Sequence, residues 1–150
     1  MDRGQAAKAY FEKGYNCAQS ILLAFEDITG LDEKTAVMLS QPFGGGMGRL
    51  REVCGTFSGM IMVLGLICGS DNPKDFESKK ELYAKVQLLA KQFEKDNGSI
   101  VCRELLGLSE KHSASKPEER TSEYYKKRPC PELARYAANL LDGYIKEMNL

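Results

Sequence analysis

The chain has no surplus of charge of either sign, a single histidine and no long apolar run, and each shortage removes a class of function. Lys and Arg total 21 against 21 Asp and Glu, so no net field draws the protein to phosphate backbones or anionic lipid. Nucleic acid and membrane are therefore not expected as partners. The longest uncharged run, Val53 to Ser70, is broken by Gly55, Gly59, Gly65 and Gly69 and falls short of the roughly 20 apolar residues a membrane span needs. The opening Met1-Asp2-Arg3-Gly4-Gln5 lacks a charged-then-apolar leader, which predicts a cytoplasmic location. His112, the one histidine, stands in a polar stretch. A solvated side chain is expected there, which argues against a mechanism built on a rigid Cys–His pair. No Cys-x-x-Cys occurs, and no segment alternates at period two, so no sheet is expected.

What is present is helical. A chain of 150 residues, 43% hydrophobic and 28% charged, suits one hydrophobic core. Ala6, Ala7, Tyr10 and Phe11 follow helical spacing up to Gly14. Asn16 caps a second helix with the stripe Ala18, Ile21, Leu22, Phe25 and Ile28, stopped by Gly30, and Asp32 caps a third that ends near Pro42. Phe43 to Arg49 holds four glycines, each costing about 1 kcal/mol in a helix interior, so it is a loop. Val53 to Gly69, apolar all round, predicts a buried central helix, and Gly55 and Gly59 on one face let a neighbour approach closely.

Pro73 and Asp75 open a long helix with the stripe Phe76, Leu82, Tyr83, Val86, Leu89, Ala90 and Phe93, ending at Asn97-Gly98. Ser99 caps a short helix over Ile100 to Leu106. Residues 109–128 are polar and read as a mobile segment, and a last helix starts at Cys130-Pro131. The expectation is a single-domain, all-α bundle of about six or seven helices around the central one.

Of five cysteines, four fall at helix starts: Cys17, Cys54, Cys102 and Cys130. A thiolate is the reactive, metal-binding form, and a helix start favours it through unpaired N–H groups and partial positive charge. One such end contributes about 0.3 to 1 kcal/mol, which barely changes reactivity. Several ends converging on a dry pocket with Arg49, Arg51 or Arg103 nearby would do more, and convergence is the hypothesis. Cys68 falls at a helix end, where the dipole opposes a thiolate, and is expected simply to be packed. The Gly44 to Gly48 loop lacks the Lys-Ser/Thr of a phosphate loop and reads as a turn that lets Cys54 approach the other helices.

Gly14-Tyr15-Asn16-Cys17-Ala18-Gln19, Phe43-Gly44-Gly45-Gly46-Met47-Gly48-Arg49, Glu52-Val53-Cys54-Gly55 with Ser58-Gly59, Cys102 and Cys130 together resemble the C_GCAxxG_C_C family of redox-active proteins. The resemblance runs from about Gly14 to Ala138. It implies that Cys17, Cys54, Cys102 and Cys130 match the family's four cysteines and that Cys68 has no counterpart. Two positions depart from the pattern: Cys54-Gly55 is followed by Thr56 in place of alanine, and Arg51 replaces a glycine.

Three functions follow in order. The first is thiol redox chemistry, with two or more of Cys17, Cys54, Cys102 and Cys130 as catalytic residues cycling between dithiol and disulfide. It requires no cofactor and an unnamed redox partner. The second is a metal module in which the same four thiolates hold zinc or an iron–sulfur cluster, although spacings of 37, 48 and 28 residues are far longer than those of a zinc knuckle. The third is a helical interaction protein whose cysteines only pack. A homodimer is open, because surplus apolar helix face looks the same within one chain or between two.

Overall fold

A computed structural model describes residues 1–150. The architecture is all-α, and five of its helices begin where a short polar side chain, Asp2, Asn16, Asp32, Asp75 or Thr121, satisfies a first-turn backbone N–H group. Asp2 caps α1 (Arg3–Glu12) in a reciprocal exchange with Gln5, and Asn16 caps α2 (Cys17–Ala24) in the same way with Gln19. Each such box contributes about 1 kcal/mol. α1 thus starts ahead of its first apolar position, Ala6.

The second helix of the sequence reading is two helices. At Phe25 the backbone leaves helical geometry (φ −121°, ψ 12°), and α3 (Glu26–Thr29) follows before Gly30 closes it at φ 74°. The break is held from outside: Arg3 Nη1 donates to the Ala24 carbonyl at 2.8 Å, and its guanidinium lies 4.7 Å from the Phe25 ring centroid.

α4 (Glu33–Ser40), capped by Asp32, leads into a turn at Gln41–Phe43 and then the glycines. α5 (Gly55–Cys68) starts later than its apolar run, because Val53 forms an antiparallel rung with Val101 and Cys54 becomes the N-cap. α6 (Phe76–Asn97) runs from Asp75 to Gly98 as expected. α7 (Cys102–Leu105), α8 (Ser122–Lys127) and α9 (Cys130–Met148) complete the chain. The extra helices over the expected number are the short ones, α3 and α8.

Every residue of α2 is buried, as is α5 from Gly55 to Met60, so these two form the centre together. They touch closely through glycine: a Cβ at Gly59 would stand 2.8 Å from Ile21 Cβ and 3.1 Å from the Ala18 carbonyl. α5 surfaces at its far end, where Leu66 is exposed. α9 lays Leu133, Ala134, Ala137, Ala138, Leu141 and Ile145 on this centre and packs along α1, where the Gly4 N–H donates to Asn139 Oδ1 at 2.8 Å. α6 joins through Leu89 and Phe93, the latter edge-on to Phe57. Phe76 and Tyr83, expected in the same buried stripe, face solvent, because α6 meets the bundle through its C-terminal half. No helix is long and apolar enough to cross a membrane.

Candidate functional site

The four helix-start cysteines line one cavity of about 600 Å³. Cys17 is the first residue of α2, Cys54 the N-cap of α5, Cys102 the first residue of α7 and Cys130 the first of α9. Cys17, Cys54 and Cys102 are buried, Cys130 is half-buried, and all are free thiols. Cys68 ends α5 away from the cavity.

Three local devices bring these distant residues together. The first is backbone pairing. Cys54 N–H donates to the Ile100 carbonyl at 2.8 Å and Cys102 N–H to the Glu52 carbonyl at 2.5 Å, flanking the Val53–Val101 rung. Because side chains alternate across such a ladder, Cys54 and Cys102 leave the same face of the pair. A rung this short gives no period-two signal, so sequence patterning misses it.

The second device is Gly55, where a Cβ would collide with Cys17 Sγ and lie 2.9 Å from the Phe43 carbonyl. Its missing side chain is the space in which the Cys17 sulfur sits beside the start of α5. The third is a left-handed turn. Gly45, Gly46, Met47, Gly48 and Arg49 all have φ between 62° and 70°, and Arg51 follows at φ 60°. L-residues with a side chain lose about 1 to 2 kcal/mol each in this region. Gly46 needs its freedom twice over, since a Cβ there would stand 2.6 Å from Cys102 Cβ and 2.9 Å from Arg51 Cα. The turn places a Gly45 N–H at the Cys17 sulfur and presents Arg49 and Arg51 to the cavity. Arg51, where the resemblance implies glycine, keeps the backbone conformation that glycine favours.

Electrostatics correct one expectation. Helix starts were expected to favour thiolates, yet burial dominates at three of the four. Burial pushes Cys54 up to about 12, with Cys17 adding to the rise and the Thr56 hydroxyl, 3.1 Å from its sulfur, opposing it. Burial also raises Cys130, reinforced by Cys17, Cys54 and Cys102, and it raises Cys17 against the Gly45 N–H. Lifting a thiol from near 9 to about 12 corresponds to about 4 kcal/mol, several times what one helix end supplies. Cys102 is distinguished by its neighbour: Arg51 Nη1 donates to its sulfur at 3.6 Å.

Residues 109–128 wall the cavity through Ser115, Pro117, Glu118, Arg120 and Tyr124. Arg120 donates to the Phe11 and Tyr15 carbonyls at the end of α1 and stacks 4.0 Å over the Phe11 ring. Arg51 Nε donates to Ser113 Oγ at 2.9 Å, and Arg49 Nε to the Ala114 carbonyl at 2.6 Å. Burial, with Cys130 next, pushes the Tyr124 phenol up to about 12. Sequence reasoning missed Glu118, Arg120, Tyr124 and Arg128, because residues in a polar stretch carry no spacing signal, and it noted Thr56 only as a replacement for alanine, without its contact to the Cys54 sulfur. Arg103, singled out by sequence, is outside the cavity and pairs with Glu52 at 3.1 Å. His112 is exposed. No three cysteine, histidine, aspartate or glutamate side chains are grouped to hold one metal ion.

No curated protein and no solved structure matches the chain. Residues 15–144 match the family described as "Putative redox-active protein (C_GCAxxG_C_C)".

Proposed function

The chain belongs to the C_GCAxxG_C_C family of redox-active proteins, and from that premise we propose that it performs thiol–disulfide exchange at the shared cavity. The observation that carries this reading is the convergence of Cys17, Cys54, Cys102 and Cys130, from four separate helix starts, on one cavity that leaves Cys68 out.

Cys102 is the first to react. A cation at the sulfur favours the thiolate, and the Arg51 guanidinium stands there. Burial keeps Cys17, Cys54 and Cys130 protonated in the resting protein. The oxidant is a substrate disulfide. Cys102 Sγ attacks one of its sulfurs, a new S–S bond joins Cys102 to that half, and the other half leaves as a thiolate that takes up a proton. A second cavity thiol then gives up its proton and attacks the Cys102 sulfur, releasing the remaining half as a thiol. Two protein thiols become one disulfide, and one substrate disulfide becomes two thiols. Run backwards, the same steps oxidise a dithiol.

Reduced protein treated with a mild oxidant, and counted for free thiols, tests this. The expected result is loss of cavity thiols in pairs, full return with reductant, and disulfides mapped by mass spectrometry to cavity cysteines. Four thiols that stay inert in the folded state overturn the reading. Anaerobically purified protein carrying stoichiometric zinc or iron on these cysteines replaces it with the metal module.

A further inference from the structure

Charge at the cavity is unbalanced. Arg49, Arg51, Arg120 and Arg128 line it, and Glu118 is the one carboxylate among the lining residues. Glu118 is divided between Arg128 and Arg49, the latter at 3.9 Å. Arg120 is engaged by backbone carbonyls. Arg51 is only 5% exposed, and its partners are Ser113 Oγ and Cys102 Sγ, with no carboxylate in salt-bridge range. A buried guanidinium without a counter-ion is unfavourable. Here the chain also adopts a left-handed backbone at both Arg49 and Arg51 to put them in place. Burial pushes the Arg49 guanidinium below its ordinary value, with Arg51 repelling it further and Glu118 partly compensating.

Carbonyls and Glu118 account for Arg49, Arg120 and Arg128 as fastenings of the cavity wall, but the Arg51 charge meets no acid and faces the Cys102 sulfur. We infer that the cavity selects small anionic substrates, and specifically low-molecular-weight disulfides that carry carboxylates, held by Arg51 and Arg49 against Cys102. This rests on the thiol–disulfide reading and deepens it by naming the substrate class. A volume of about 600 Å³ is within the range of small-molecule sites. The apolar wall of Phe11, Leu105, Leu106 and Leu133 suits the hydrocarbon between a carboxylate and a sulfur. Arg51 links the two functions, since one guanidinium that touches the attacking sulfur also supplies charge for the anion.

The test compares three disulfides of like size on reduced, full-length protein at low salt: dithiodiglycolate (dianionic), bis(2-hydroxyethyl) disulfide (neutral) and cystamine (dicationic). Each rate is divided by that of a simple free thiol with the same disulfide. The expected result is dithiodiglycolate ahead of cystamine by about tenfold or more, with the ratio falling as salt rises. Arg51→Lys keeps the preference and Arg51→Gln reduces it. Adipate, a dicarboxylate with no sulfur, needs no variant: it binds the wild-type protein in calorimetry and slows its reaction with the neutral disulfide. Equal corrected rates for the three disulfides together with no adipate binding overturn the inference and leave thiol exchange standing. Arg51→Gln slowing all three alike also overturns it, because Arg51 then serves only the sulfur. Failure of every disulfide to react overturns the exchange reading and the substrate class with it.

Discussion

Cys17 Sγ occupies the space that a side chain on Gly55 would fill. The relationship joins the start of α2 to the start of α5 and makes the glycine part of the site. Gly55→Ala forces either the sulfur or the Phe43 carbonyl to move, and overpacking of this kind costs about 1 to 3 kcal/mol. Urea unfolding of the variant is expected to show that loss, with slowed thiol exchange beside it. Gly65→Ala is the control. It lies on the same helix with nothing near its missing Cβ, so the substitution is expected to stabilise by about 0.5 to 1 kcal/mol through helix propensity alone.

Alkaline pH is expected to weaken the fold through Cys54. Below its ordinary value near 9, folded and unfolded chains both hold the proton and stability is unchanged. Between 9 and about 12 the unfolded chain ionises while the folded chain does not, so stability falls as pH rises. The slope approaches about 1.4 kcal/mol per pH unit for one such thiol. Urea unfolding at pH 8, 9 and 10 under reductant measures it. Cys54→Ala is expected to have a shallower slope than the parent, and identical slopes would show that Cys54 ionises freely in the folded state.

Thiol identity should separate cleanly by position. Cys102→Ser is expected to abolish reaction with a small disulfide, because the sulfur at Arg51 is gone, whereas Cys68→Ser leaves the rate unchanged. Iodoacetamide labelling read by peptide mass spectrometry is expected to find Cys102 first among the cavity cysteines and Cys54 last. Labelling of Cys54 ahead of Cys102 would reverse the assigned order of attack.

Arg120 ties residues 109–128 to the end of α1. Arg120→Ala removes two charge-assisted bonds to carbonyls and the stacking on Phe11, each such bond contributing about 1.5 to 3 kcal/mol. The site is partly exposed to water, so a net loss of about 1 to 3 kcal/mol is expected. Limited proteolysis between 109 and 121 should accelerate in step. His112→Ala, on an exposed side chain of the same stretch, is expected to change neither stability nor exchange.

The parts of this molecule that could be read in advance are those governed by local rules. Asn16, Asp32 and Asp75 cap the helices they were expected to cap, Gly98 ends α6, and Pro131 sits in the first turn of α9. Gly55 and Gly59 admit α2 as their spacing implies. What escaped was decided by tertiary partners. The apolar stripe runs unbroken through Phe25 to Ile28, and Arg3 taking the Ala24 carbonyl is what divides it. Met47, Arg49 and Arg51 hold left-handed geometry that side-chained residues usually avoid, so no propensity announces the turn. The position of the four cysteines at helix starts was legible. Their shared cavity depends on a single antiparallel rung between Val53 and Val101 and on arginines from the glycine turn and from a stretch without periodicity. The dominance of burial over helix-end charge depends on how deeply the sulfurs lie, which no linear pattern states.

The docking of α9 along α1 has a temporal consequence. Cys130 reaches the other sulfurs because the helix it begins is seated by its apolar face on the centre and by Arg3, Gly4 and Lys8 on Asp142, Asn139 and Glu132. A nascent chain that has emerged as far as α7 therefore carries three of the thiols but lacks the final wall around them. The complete cavity therefore forms only as the late segment clasps the early one, and Cys130 joins a site whose other three sulfurs are supplied by earlier parts of the chain.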